Sequence, residues 1–127
     1  MHRRTRSRIL AWLAALGLAV APALAMSPRR LMQFGVEAAQ QGLWREALFR
    51  WEKAVKDDPE NARLRNNLAV AYESLGRLEE ADREYLEALR LAPDSREIKD
   101  NHVSFRKMHP GFQGVENAPA QPPAAHP

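Results

Sequence analysis

The segment ARLRNNLAVAYESLGRLEEADREYLEALRLAPDS, residues 62–95, decides the fold. Leu64, Leu68, Ala71, Tyr72 and Leu75 recur at the spacing of one helical face, and Leu78, Ala81, Tyr85, Ala88, Leu89 and Leu91 do the same further on. Glu79, Arg83 and Glu87 fall on the outer side of the second helix as alternating i,i+4 pairs. Gly76 stands between the two, where a helix commonly ends in a left-handed conformation that glycine reaches cheaply, and Pro93 stops the second helix. The segment therefore reads as a hairpin of two amphipathic helices.

Working outward, the chain repeats itself at an offset of 34: Gly42 pairs with Gly76, Glu46 with Glu80, Ala47 with Ala81, Trp51 with Tyr85, Ala54 with Ala88 and Pro59 with Pro93. The spacing predicts helices over 28–41, 44–57, 61–75 and 78–91, with Ser27-Pro28 as an N-cap followed by proline at the first helical position. Gly35 against Ala47 and Ala69 against Ala81 are small pairs that let antiparallel helices approach, while Trp51 and Tyr85 fill the space between hairpins. Ile98, His102, Phe105 and Met108 continue the helical spacing and predict a fifth helix over 95–108. Val103 stands in register with Ala69 and Gly35, and this helix is expected to cover the open end of the stack. From Pro110 on, Gly111, Gly114, Pro119, Pro122, Pro123 and Pro127 leave little to bury, so 110–127 is expected to be a disordered proline-rich tail.

These residues carry a specific resemblance. The segments 28–61 and 62–95 are similar to two tetratricopeptide repeats: Leu68, Ala69, Tyr72, Gly76, Ala81, Tyr85, Ala88 and Pro93 match the family pattern in the second unit. Leu31, Phe34, Gly35, Gly42, Ala47, Trp51, Ala54 and Pro59 match it in the first, where Ala38 replaces the usual aromatic. The resemblance implies an all-α protein, a short right-handed α-solenoid of two helix-turn-helix repeats plus a capping helix, with the domain over 28–109. It also implies a concave groove lined by the first helix of each unit. There Gln33, Asn67 and Asn101, spaced by 34, would form a ladder of amides able to hold a peptide backbone. The alternative for Asn67 is a bond to neighbouring backbone within the repeat. Arg63, Asn66 and Val70 are expected to face the same groove, with Arg29, Met32, Val36, Gln40, Glu73, Glu97, Asp100 and Ser104. Met32 and Val36 occupy two positions at which some members place the lysine and asparagine of a carboxylate clamp, which argues against that clamp here.

Charge and composition narrow the function further. The 127 residues carry 19 Lys plus Arg and 16 Asp plus Glu, but Arg3, Arg4, Arg6 and Arg8 precede every acidic residue. Without those four arginines 15 basic residues face 16 acidic ones, so no basic face for nucleic acid remains. Arg3 to Arg8, the apolar run 9–20 and Ala21-Pro22-Ala23-Leu24-Ala25 resemble a secretory signal peptide over 1–25 with cleavage between Ala25 and Met26. Export, to the periplasm or its equivalent, follows from that reading. An uncleaved membrane anchor over 9–26 would leave the domain on the same side, and a translation start at Met26 would keep it in the cytoplasm.

With no cysteine, disulfides, thiolate nucleophiles and Cys-based metal sites are ruled out. Asp100, His102, Ser104 and His109 contain the letters of a hydrolytic triad, yet Asp100 and Ser104 share a helical face that His102 does not. No catalytic residue, metal site or cofactor is expected. Trp44 is left as a surface anchor or as packing beneath its own turn. The expected function is an exported interaction module binding a protein partner's peptide or helix. The competing reading is a structural subunit that self-associates, because two and a half repeats lie near the lower limit for a stable stack.

Overall fold

The computed structural model describes residues 25–115, so the expectations for 1–24 and for 116–127 lie outside the described residues. Among the described residues there are five α-helices and no strand: α1 Pro28–Gln40, α2 Trp44–Asp57, α3 Ala62–Ser74, α4 Leu78–Leu91 and α5 Arg96–Met108. None of these helices is long and apolar enough to cross a membrane.

The helix boundaries follow from caps. Ser27, Asn61 and Ser95 stand just before α1, α3 and α5, and their side-chain oxygens accept from the backbone N–H of Arg30 at 3.4 Å, Leu64 at 3.0 Å and Ile98 at 3.4 Å. At the opposite ends of α1 and α3 the chain reverses through Gly42 and Gly76, whose φ angles are +74° and +72°. Leu43 N–H then donates to the Ala38 carbonyl and Arg77 N–H to the Tyr72 carbonyl, both at 2.9 Å, which satisfies carbonyls that the helix end leaves free. The two turns are copies of one another, 34 residues apart.

Two hydrophobic cores result. The first gathers Leu31, Ala38, Ala47, Leu48, Trp51, Ala54, Leu64, Leu68 and Ala71 from α1, α2 and α3. The second gathers Ala69, Ala81, Tyr85 and Phe105 from α3, α4 and α5. Trp51 ties the first together: its Nε1–H donates to the Met32 carbonyl at 3.0 Å, and its ring lies on Gly35. A Cβ at Gly35 would come within 2.6 Å of the indole Cδ1 and Cε2, so the small residue makes room for the ring of Trp51. This refines the expected pairing of Gly35 with Ala47.

Of the two readings of Trp44, the structure favours packing: the residue is in register with Leu78 and Phe112 and is half-buried against the first core, as Leu78 is against the second. One further expectation is corrected. The tail does not begin at Pro110. Phe112 packs edge-on against Phe105 with ring centroids 5.6 Å apart, Phe112 N–H donates to the His109 carbonyl at 3.0 Å, and Val115 N–H reaches Asp82 at 3.0 Å. Pro110 occupies the position of Gly42 and Gly76 and cannot take a positive φ, so the reversal used twice before is not repeated.

The two glycine roles separate in unfolding experiments. A Cβ at Gly76 meets nothing within 4 Å, so Gly76→Ala should cost only the strained backbone, about 1 kcal/mol. Gly35→Ala must displace the indole and should cost about 2 to 3 kcal/mol. Urea midpoints followed by circular dichroism would rank the pair, and equal losses would contradict the packing of Trp51 on Gly35.

Candidate functional site

The first helices of each unit, α1, α3 and α5, carry the residues expected to face a ligand. Between α3 and α5 lies a cleft of about 490 Å³, walled by Trp44, Val70, Ser104 and Met108 and floored by Glu73 and Tyr85. Asn101, Ser74 and His109 complete its lining. Met108 is 63% exposed, whereas Tyr85 is 1% exposed. That hydroxyl donates to Glu73 Oε2 at 2.9 Å, and His109 Nε2 lies 3.4 Å from Glu73 Oε1. Burial, reinforced by the bond to Glu73, pushes the Tyr85 phenol well above the ordinary tyrosine range, so it remains a protonated donor.

The amides do not line up as a ladder. Gln33 is exposed and its Nε2 donates to Glu37 on its own helix at 3.3 Å. Asn101 Nδ2 donates to Asn66 Oδ1 at 3.1 Å, linking α5 to α3. Asn66, expected as a surface contact, is 2% exposed and acts inside the fold as that acceptor. It lies at the base of a smaller cleft of about 190 Å³, lined also by Arg63, Ser95, Glu97 and Ile98. Asn67 is half-buried and makes no side-chain hydrogen bond among the described residues, so its amide stays available. Residues 66 and 67 are one step apart in sequence but about 100° apart around the helix, which is why one faces α5 and the other does not. Val70 lines the larger cleft. Met32 and Val36 pack against the first core.

His102 does not stand alone. Its Nε2 is 2.7 Å from Asp82 Oδ1, and Asp82, only 2% exposed, also receives Val115 N–H and lies 3.5 Å from Arg106 Nη1. Asp82 and His102 are in register with Leu48 and Leu68, so an apolar pair between the first hairpin and α3 becomes a hydrogen-bonded pair between the second hairpin and α5. Asp100 faces Arg96 at 3.6 Å and Ser104 lines the cleft, so the triad letters are dispersed. Sequence reasoning missed Tyr85, Met108 and His109 as cleft residues, and Asp82 as a buried acid. The offset of 34 does signal Asp82, since the matching Leu48 is a core residue.

Helical hairpins repeated at 34 residues, stacked through shared cores and closed by a fifth helix, define a helical repeat protein. The sequence signature of the tetratricopeptide repeat matches residues 32–96, and the chain belongs to the tetratricopeptide repeat family. Among curated proteins it is similar to the inactive TPR repeat-containing thioredoxin TTL3 of Arabidopsis thaliana, 39% identical over 67 residues. That stretch is 53% of this chain and 10% of the relative. It is also similar to the TPR repeat-containing thioredoxin TTL4 of the same plant, 44% identical over 54 residues, 42% of this chain and 8% of that protein. The chain thus matches about a tenth of the length of these relatives. The family is in general a non-catalytic protein-interaction fold.

The hydrogen-bonded joint has a measurable signature. His102→Leu alone leaves the buried Asp82 with fewer partners and should destabilise by about 2 to 3 kcal/mol. The double variant Asp82→Leu, His102→Leu restores the chemistry of the first joint and should recover most of that loss. It should also free Val115, whose amide would exchange with deuterium faster. A double variant less stable than the single one would show that Asp82 holds the fold through Arg106 and Val115 instead.

Proposed function

We propose that this chain is an exported adaptor or scaffold that captures an extended peptide or short helix of a protein partner in the groove of α1, α3 and α5. The observation that carries the reading is the cleft of about 490 Å³, whose lining combines apolar Trp44, Val70 and Met108 with the hydrogen-bonding groups of Asn101 and Ser104. Such a mixture suits a polypeptide, which offers backbone donors and acceptors together with apolar side chains. Asn67, with a free amide, and Arg63, exposed at the neighbouring cleft, extend the contact surface toward the start of α3. Gln33 and Asn66 take part through the shape they hold, since each amide already has a partner within the chain, whereas Asn101 spends one N–H on Asn66 and keeps its Oδ1 for a ligand.

Export rests on the charge and apolar pattern of 1–25. Met26 packs against the first core, so cleavage before it would retain that contact. A second reading, self-association, draws on Val103, which is 50% exposed at the position where Ala69 is fully buried beneath a second helix.

Two measurements test these readings. Crosslinked pull-downs from intact cells would compare the parent with an Asn67→Ala, Met108→Glu variant, both substitutions at sites without side-chain bonds. Recovery of one partner by the parent and its loss with a normally melting variant is the outcome expected of groove capture; recovery of the chain's own copies alone by both favours self-association. Mass spectrometry of the envelope fraction should find an N-terminus at Met26. A chain retaining residues 1–25 in the membrane supports the anchor, and one recovered only from the cytoplasm ends the export reading.

A further inference from the structure

We infer that the cleft between α3 and α5 is a subsite for one long basic side chain, Lys or Arg, of the captured segment. The inference rests on the peptide-capture reading and specifies what that groove selects. Glu73 is the one carboxylate lining this cleft among the described residues. Its oxygens are only partly engaged: Oε2 accepts from the Tyr85 hydroxyl at 2.9 Å, and the His109 contact to Oε1 is long, at 3.4 Å. An ionised carboxylate offers about four acceptor positions, so at least two remain for a ligand. Around it stand Trp44, Val70 and Met108, which are apolar or nearly so.

That combination matches the anatomy of a basic side chain. The methylene stem of Lys or Arg lies against apolar walls while the cationic head makes a charge-assisted hydrogen bond, and an aromatic ring beside the path adds a cation–π attraction. Other side chains fit worse for definite reasons. An apolar side chain would cover Glu73 and strip its water without supplying a donor. An acidic one would meet Glu73 directly, with His109 as the nearest basic group. The subsite also occurs once. The positions in register with Glu73 are Ala39 and Lys107, so no other unit offers a carboxylate there. A single basic residue would therefore fix the register of the bound segment along a groove otherwise tolerant of sequence.

The test is an array of random 15-residue peptides probed with the full chain, parent and Glu73→Gln. A glutamine at 73 keeps an acceptor for Tyr85, and its melting curve would be checked against the parent. The best binders would then be measured by fluorescence anisotropy alongside analogues in which Lys becomes norleucine or Arg becomes citrulline. We expect binders enriched in Lys or Arg, about tenfold weaker binding of the neutral analogues to the parent, and loss of that difference in Glu73→Gln. Should Glu73→Gln melt early, the analogue comparison on the parent decides alone. Peptides bound without a basic preference, or a preference kept by a folded Glu73→Gln, overturn the subsite and leave peptide capture standing. No peptide bound by the parent overturns both.

Discussion

The packing of one indole on one glycine sets the geometry from which the rest of the stack is built. Trp51 can lie against α1 only because residue 35 lacks a side chain, and its Nε1–H then finds the Met32 carbonyl at 3.0 Å. The ring is 3% exposed and shares its core with Leu64, Leu68 and Ala71, so the face that seats α3 is fixed by the same side chain. The second hairpin solves the same problem with different volumes. Tyr85 replaces the indole and Ala69 replaces the glycine, so a smaller ring meets a larger partner, and both positions are again buried. Core packing tolerates such exchanges when total volume is kept.

From hairpin to hairpin the joint chemistry changes. Leu48 and Leu68 join the first hairpin to α3 by apolar contact, whereas Asp82 and His102 join the second hairpin to α5 by a hydrogen bond of 2.7 Å. A buried carboxylate with three donors gains little net stability over a well-packed apolar pair. What it adds here is reach: Asp82 also takes the N–H of Val115, so one side chain fastens both the capping helix and the segment after it. Pro110 then denies α5 the glycine turn used by the earlier units, and Phe112 packs beside Phe105. The capping helix thus closes the stack through a buried carboxylate and a histidine at positions where the internal joint places leucines, with clustered rings beside them.

Much of this was legible in the sequence because the determinants are local. Ser27, Asn61 and Ser95 mark helix starts and Gly42 and Gly76 mark reversals by what they do to adjacent backbone, and the helices begin and end within a residue of the expected places. The features that were not legible depend on rotation and on partners far along the chain. Whether residue 66 or residue 67 meets Asn101 depends on a turn of about 100° about α3, which repeat spacing does not resolve. That Asp82 is buried depends on His102, 20 residues on, and on Val115, 33 residues on. For Trp44 the sequence leaves two readings open because its equivalents, Leu78 and Phe112, share its apolar role without its size.

The same distinction divides scaffold from site. Positions that build the stack recur with their chemistry intact: Gly42 with Gly76, Ala47 with Ala81, Ala54 with Ala88. Positions that line the cleft recur only in part: Val70 keeps a valine at 36 and Asn101 an amide at 67 and 33, but Glu73 is matched by Ala39 and Lys107, and Met108 by Ser74 and Gln40. A repeat constrains what must pack against its neighbour and leaves free what faces outward, so departures from the repeat are where a particular ligand can be distinguished. In this chain two such departures, Glu73 and Met108, line the same cleft, and the core-held Tyr85 hydroxyl fixes the carboxylate of Glu73 there in advance of any ligand.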